Sequence, residues 1–294
     1  MPKEIEKLID AKEEDDKEFQ EFANQKDAIL LAFIGSYVPK RYNPSTSASA
    51  SMNIRDEFGI EKVLTELEEK LPDYKNKKVY FLVNSIGGNL SSAYKIARAI
   101  RSAFKDITVF VPHYALSGGT MLALTGNKIV MGMMSQLSPL DVQLFYNDRQ
   151  TVSVNSMLKA QDRLNEIFRI SAREELPYPY QHLAESLDPV LLEEWAGIQD
   201  EGRTYLKEIL EMSGYGDKVD DVANTLVFMF PTHGFVIHSD HARTLGLKIE
   251  ESAADQEAWN KMRFWLSKYI TQQTDRHFIR YVVPRKGQQK EKSD

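Results

Sequence analysis

Apolar positions along the chain change their period several times, and each change marks an element. Lys78–Asn84 (KVYFLVN) is a near-continuous apolar run, as in a strand covered on both faces. Ile107–Pro112 (ITVFVP) and Lys128–Gly132 repeat that pattern. Between them Ala93, Ile96, Ala97, Ile100 and Phe104 recur at helical spacing, and Ser117–Leu124 begins another helix. Upstream, Ala28–Ile34 reads as a buried strand, followed by Ile60, Val63, Leu64, Leu67 and Leu71 at helical spacing. Strand and helix alternate over about 55 residues, which predicts an α/β fold with a parallel sheet and helices on both faces. The crossovers should be right-handed.

The flanks read differently. Residues 1–27 alternate charges with Ile5, Leu8, Ile9, Phe19 and Phe22 and predict a charged helical arm. Tyr42–Asn53 (YNPSTSASASMN) is the most loop-like stretch. From Val152 the chain becomes mostly helical, then Val222–Phe230 is apolar and Ser239–Leu245 leads into Leu247–Ile249. Trp259, Met262, Leu266 and Ile270 mark a C-terminal helix. The expected organisation is an arm over 1–27 and a main domain over 28–250 with a helical insertion at about 152–230. A C-terminal helix over 251–284 and a polar, disordered tail over 285–294 follow.

Composition narrows the chemistry. The chain has 294 residues, 42% apolar and 27% charged, which fits a globular protein and excludes wholesale disorder. Its formal charge of −6 argues against a nucleic-acid binder. With no cysteine there is no disulfide, thiolate metal site or cysteine nucleophile. The N-terminus lacks an apolar h-region and the run around Ala28–Val38 is too short for a transmembrane segment, so a cytoplasmic location is expected.

Two glycine turns then stand out. Gly87-Gly88 directly follows the strand at 78–84, and Ser117-Gly118-Gly119 follows the strand at 107–112. In a parallel sheet both turns lie at the carboxyl edge, where ligands bind. Small residues around Ser117 leave its hydroxyl accessible. Amide N–H groups of Gly118 and of the Gly87-Gly88 turn are placed to receive a developing oxyanion. Neither turn carries the lysine of a phosphate-binding P-loop or a third glycine for a dinucleotide.

Three segments together resemble a known family. They are Asn84-Ser85-Ile86-Gly87-Gly88, Ala115-Leu116-Ser117-Gly118-Gly119-Thr120 and Leu137-Ser138-Pro139-Leu140-Asp141-Val142-Gln143. A fourth runs from Thr232-His233-Gly234-Phe235 through Ala242 to Leu245-Gly246-Leu247. In this order they resemble the serine dehydrogenase proteinase family of the ClpP/crotonase superfamily, similar to signal peptide peptidase A. The resemblance implies a ClpP/crotonase-like fold and a serine peptidase with Ser117 as nucleophile. It also implies an oxyanion hole from Gly118 and the Gly87-Gly88 turn, and no cofactor.

The general base is open. ClpP-like relatives carry a histidine after the next strand, but here Asp141 stands near that place. Relatives like signal peptide peptidase A use a Ser/Lys dyad, and Lys159 in Ser156-Met157-Leu158-Lys159-Ala160 sits where such a lysine would come. To act, it would need desolvation. His233 is the alternative base, since histidine needs no extreme pKa shift. Asp141 either orients such a partner or caps a turn. His113 lies four residues before Ser117 without an assigned role, and His238 and His241 lack the acidic companions of a metal site. The partners expected are a peptide or protein substrate, further copies of the chain in a homo-oligomer, and an unidentified protein partner. Two other readings remain: a catalytically silent oligomeric interaction protein, motivated by the missing histidine, and a crotonase-like acyl-thioester enzyme in which Ser117 is incidental.

Overall fold

A computed structural model describes residues 9–35, 50–147, 150–170, 189–272 and 276–285. Its frame is a seven-stranded sheet. The strands, in chain order, are β1 (Ala11–Glu13), β2 (Ala28–Gly35), β3 (Lys78–Asn84), β4 (Asp106–Val111), β6 (Lys128–Met131), β10 (Ile249–Glu251) and β11 (His277–Val282). Their spatial order is β1-β11-β2-β3-β4-β6-β10. Strands β2, β3, β4, β6 and β10 run parallel, and β11 is antiparallel to β2. The expected α/β fold with a mostly parallel sheet is therefore present, and β3 has the bounds that its apolar run predicts.

Both faces are covered because alternate residues of each strand feed two cores. Ile29, Leu31 and Phe33 join Val79, Phe81 and Val83 against α2 (Ile54–Lys70) and α3 (Leu90–Ala103). Leu30, Ala32 and Ile34 face the other way, onto α1 (Lys17–Lys26) and α9 (Gln256–Tyr269). Asn53 starts α2 with a capping box: Asn53 accepts from the amides of the first turn while Asp56 accepts from the amide of Asn53. Among the described residues no helix is long and apolar enough to cross a membrane.

The flanks differ from the expected organisation. Residues 9–27 are no free arm: β1 pairs with β11, and Phe19, Phe22 and Ala23 of α1 are buried against α9. Residues 1–8 lie outside the described residues. The helix expected over 251–284 is confined to α9, and the chain then returns as β11 inside the sheet. The sequence pattern hides β11 because it carries His277 and Arg280, both buried and both bonded to distant partners. Arg280 donates to the backbone carbonyl of Asp10 (2.8 Å) and pairs with its carboxylate (2.8 Å). The loop-like stretch ends early: Ala50 and Met52 are buried, while residues 36–49 lie outside the described residues, as do 286–294 of the polar tail. Within 152–230 the chain forms α5 (Val154–Ile170), α6 (Pro189–Met212) and α7 (Val219–Asn224), preceded by a hairpin of β8 (Gln143–Asn147) and β9 (Gln150–Ser153). Residues 171–188 lie outside the described residues.

Glu14 pins the N-terminal segment to α9. Its carboxylate accepts from Trp265 Nε1 (2.9 Å), Tyr269 OH (2.6 Å) and Lys268 Nζ (3.3 Å). Burial pushes its pKa up, but the bonds from Tyr269, Trp265 and Lys268 outweigh it and hold the carboxyl below its ordinary value. A lowered folded pKa means stability that is present above the unfolded pKa and is lost as pH falls through the folded one. Glu14→Gln should lower unfolding free energy by about 1–2 kcal/mol at neutral pH. The gap should close on acidification through the carboxylate range. Urea unfolding at both pH values checks this, and equal midpoints at neutral pH would refute it.

Candidate active site

The site is built where three loops meet beyond the carboxyl ends of β3 and β4. After β3 the chain makes the Ser85–Asn89 turn. After β4 it forms β5 (Tyr114–Ala115) and then the Ser117 turn, which opens the short helix α4 (Gly118–Ala123). A small second layer ties these loops together. Ser85 bridges Ala115, β5 pairs with β7 (Gln136–Leu137), Leu137 bridges Ile237, and Met52 bridges Gly88. Leu137 thus brings residues 232–237 beside the Ser117 turn, more than a hundred residues away in sequence.

Ser117 has φ +50° and ψ −120°, one of two non-glycine residues with positive φ among the described residues. Such a backbone costs about 1–3 kcal/mol and persists only when its surroundings fix it. Here they do. Ser117 N donates to Ser138 Oγ (2.8 Å), Leu116 N to Ser85 O (2.8 Å) and Thr120 N to Ser117 O (2.8 Å). Ser138 N in turn donates to Thr120 Oγ1 (3.1 Å), which staples the 137–143 loop to the Ser117 turn.

The glycines are required by close approach. A Cβ on Gly87 would lie 2.7 Å from Leu116 O, and one on Gly88 would lie 2.2 Å from Met52 N. One on Gly118 would meet Ala93 Cβ at 2.8 Å. Their amides are not equivalent. Gly87 N donates to Ser85 Oγ (3.1 Å). Gly87 O and Asn89 N bond the backbone of Met52, at 2.8 and 2.9 Å. The N–H groups of Gly88 and Gly118 have no acceptor among the described residues.

Ser117, Gly87, Gly88, Gly118, Asp141 and His233 all line one cavity of about 570 Å³. His233 Nδ1 lies 2.8 Å from Asp141 Oδ1 and 3.0 Å from the Asp141 carbonyl. The carboxylate of Asp141 is almost fully buried, and its other oxygen accepts from Ser153 Oγ. Two acceptors facing Nδ1 place the hydrogen of a neutral ring on that nitrogen, and Nε2 of that tautomer carries the lone pair. Nε2 has no partner among the described residues.

Lys159 stands apart from this group. It lies on the exposed side of α5, and its Nζ donates to the carbonyls of Phe228 (3.2 Å) and Phe230 (3.3 Å). It is not among the residues lining the cavity. His113 lines a different groove, with Trp259 and Arg263. His238 caps α8 (Ser239–Thr244) by accepting from His241 N (3.4 Å). Among the described residues no three His, Asp or Glu side chains are grouped to hold a metal. The stapling roles of Ser138, Thr120 and Ser153 are not legible in the sequence. Their small polar character carries no periodic signal.

Comparison with known proteins places this segment. The family model described as a ClpP-like SDH-type serine proteinase matches residues 52–167. The motifs at 84–88, 115–120 and 137–143 all fall inside that match, so the resemblance read from them holds. The match supports a serine peptidase kind. Two uncharacterized proteins of Methanocaldococcus jannaschii also align. One is 40% identical over 70 residues, 24% of this chain and 24% of that protein. The other is 28% identical over 93 residues, 32% of this chain and 30% of that protein. The alignments thus span less than a third of the length of these curated relatives. Among solved structures, a serine-to-alanine variant of the membrane-bound stomatin-specific protease 1510-N gives a TM-score of 0.45 at 12% identity. That alignment covers 72% of this chain and 79% of the other.

Proposed function

We propose that this chain is a serine peptidase that cleaves peptide bonds through an acyl-enzyme on Ser117, with His233 as general base and Asp141 as its orienting partner. The observation that carries the reading is the pairing of His233 with the buried Asp141, both lining the same cavity as the strained Ser117 turn. In this scheme Ser117 Oγ attacks the scissile carbonyl carbon and His233 Nε2 takes its proton. The carbonyl oxygen becomes an oxyanion held by Gly88 N–H and Gly118 N–H. The C–N bond then breaks, and the proton on Nε2 passes to the leaving amine. A water deprotonated by the same nitrogen hydrolyses the ester and returns Ser117.

Asp141 does not change protonation. It keeps the Nδ1–H tautomer and stabilises the imidazolium that forms at each proton transfer. The Gly87-Gly88 turn contributes through one amide, because Gly87 N–H is already bound to Ser85. Cavity composition favours a peptide over an acyl-CoA: among the described residues its lining holds no Lys or Arg to meet phosphates, but has Ile86, Leu90, Leu140, Val142 and Ile198 to hold apolar side chains.

A fluorophosphonate probe tests the reading directly, since it labels only an activated serine. Mass spectrometry should find one adduct, on the peptide containing Ser117, at an unchanged rate in Lys159→Ala. An adduct on another serine, or none on purified protein with measured peptidase activity, would overturn the assignment. Labelling lost in Lys159→Ala but kept in His233→Ala would move the base to the lysine.

A further inference from the structure

A second chain of serine, histidine and aspartate lies behind the glycine turn, sealed from solvent. His277 Nε2 is 2.8 Å from Ser85 Oγ, and His277 Nδ1 is 3.2 Å from Asp56 Oδ2. Ser85, His277 and Asp56 are 0, 1 and 4% exposed, so none of them can meet a substrate. The three come from the end of β3, the start of β11 and the first turn of α2.

Proton placement gives this chain a direction. Asp56 Oδ2 already accepts from Asn53 N (2.9 Å) in the capping box, so it acts as an acceptor toward the imidazole as well. In the neutral imidazole Nδ1 therefore carries the ring hydrogen, and Nε2 presents a lone pair. Ser85 must then donate its hydroxyl hydrogen to Nε2. That turns the oxygen lone pairs of Ser85 to the amide of Gly87, which donates to them at 3.1 Å.

We infer that His277 is a positioning residue for the oxyanion hole, acting through Ser85. By fixing the hydroxyl rotor it makes Ser85 a hydrogen-bond acceptor only toward Gly87, and so holds the Gly87 amide away from the cavity. The peptide unit that follows then aims Gly88 N–H at the cavity, beside Gly118 N–H. Ring placement is itself enforced: His277 stacks on Phe33 at 4.2 Å, and a Cβ on Gly35 would lie 2.9 Å from its Nε2. Without Ser85 the Gly87 amide is left buried and unpaired, and the turn can rotate to satisfy it. Without His277 the serine hydroxyl can turn its hydrogen to another acceptor and cease to receive the Gly87 amide. This gives β11, far from the nucleophile in sequence and paired with β2, a role at the site.

The inference rests on Ser117 being the nucleophile, and the experiment separates the two. Steady-state peptide hydrolysis is compared for wild type, Ser117→Ala, Ser85→Ala, Ser85→Thr and His277→Gln. Leu30→Ala, on the opposite face of the sheet, serves as a control for lost stability. Ser85→Ala and His277→Gln should lose about 10–100-fold in kcat with KM changed less than about threefold, because the contact strengthens only in the transition state. Ser85→Thr, which keeps a hydroxyl, should recover most of the rate. Leu30→Ala should lower the urea midpoint without lowering kcat at 25 °C. If Ser117→Ala is inactive but folded Ser85→Ala keeps kcat within about twofold, positioning is overturned while the nucleophile stands. If Ser117→Ala stays active, the nucleophile reading itself falls. Should His277→Gln not fold, the Ser85→Ala and Ser85→Thr pair decides the matter alone.

Discussion

Replacing His233 by alanine is expected to lower kcat/KM for a peptide substrate by about 10⁴-fold, nearly as far as Ser117→Ala, with the fold intact. The size follows from the chemistry. A neutral serine hydroxyl is a weak nucleophile, and a base within reach changes its reactivity more than any other single group. His233 is one-fifth exposed and lines the cavity, so its removal enlarges an open cavity and does not leave a hole in the core. Asp141→Asn should cost about 10²–10⁴-fold, because an amide at that position can present N–H to Nδ1 and favour the wrong tautomer. Lys159→Ala should keep activity within about threefold. Its ammonium group bonds two carbonyls at the end of the 225–229 helical turn, a structural task worth about 1 kcal/mol. Measured kcat/KM values that fall for Lys159→Ala and hold for His233→Ala would replace this base with the lysine.

The contrast between these two residues shows what a sequence can and cannot carry. Strand β3 is legible in its bounds because burial on both faces makes Val79–Val83 apolar throughout, a local property. The glycine turns are legible because close backbone approach excludes a side chain whatever the rest of the fold does. The choice of base is not local. His233 reaches the cavity because Ile237 bridges Leu137, a contact between segments a hundred residues apart. Lys159 has the better spacing after the motifs, but spacing along a helix does not say which loop the helix packs against. Strand β11 fails for the same reason. Its His277 and Arg280 look like surface residues until Asp56, Ser85 and Asp10 are brought to them from the other end of the chain. Buried polar residues with distant partners are invisible to periodicity, and here they include the groups that brace the site.

Gly88→Ala carries the second large effect, and it joins stability to activity. At φ +152° an alanine is strained before any contact is counted. Its Cβ would also lie 2.2 Å from Met52 N and 2.4 Å from Met52 O, both backbone atoms that cannot swing aside. Relief requires the 50–53 segment to leave the turn. That breaks the bonds from Met52 N to Gly87 O and from Asn89 N to Met52 O, and it uncovers Met52, now 1% exposed. Two backbone bonds and one buried methionine together predict a loss of about 3–5 kcal/mol in unfolding free energy. If Gly88 N–H receives the oxyanion, kcat should fall by about 10³-fold or more at a temperature where the variant is still folded. Gly118→Ala offers the contrast. Its obstacle is the Ala93 side chain at 2.8 Å, not backbone, so Ala93→Gly should restore much of what Gly118→Ala loses. No second substitution of that kind should rescue Gly88→Ala. Urea unfolding and peptide turnover on Gly88→Ala, Gly118→Ala and the Gly118→Ala/Ala93→Gly double variant decide this. A Gly88→Ala protein with a wild-type midpoint and wild-type kcat would show that the turn neither needs its glycine nor supplies the amide.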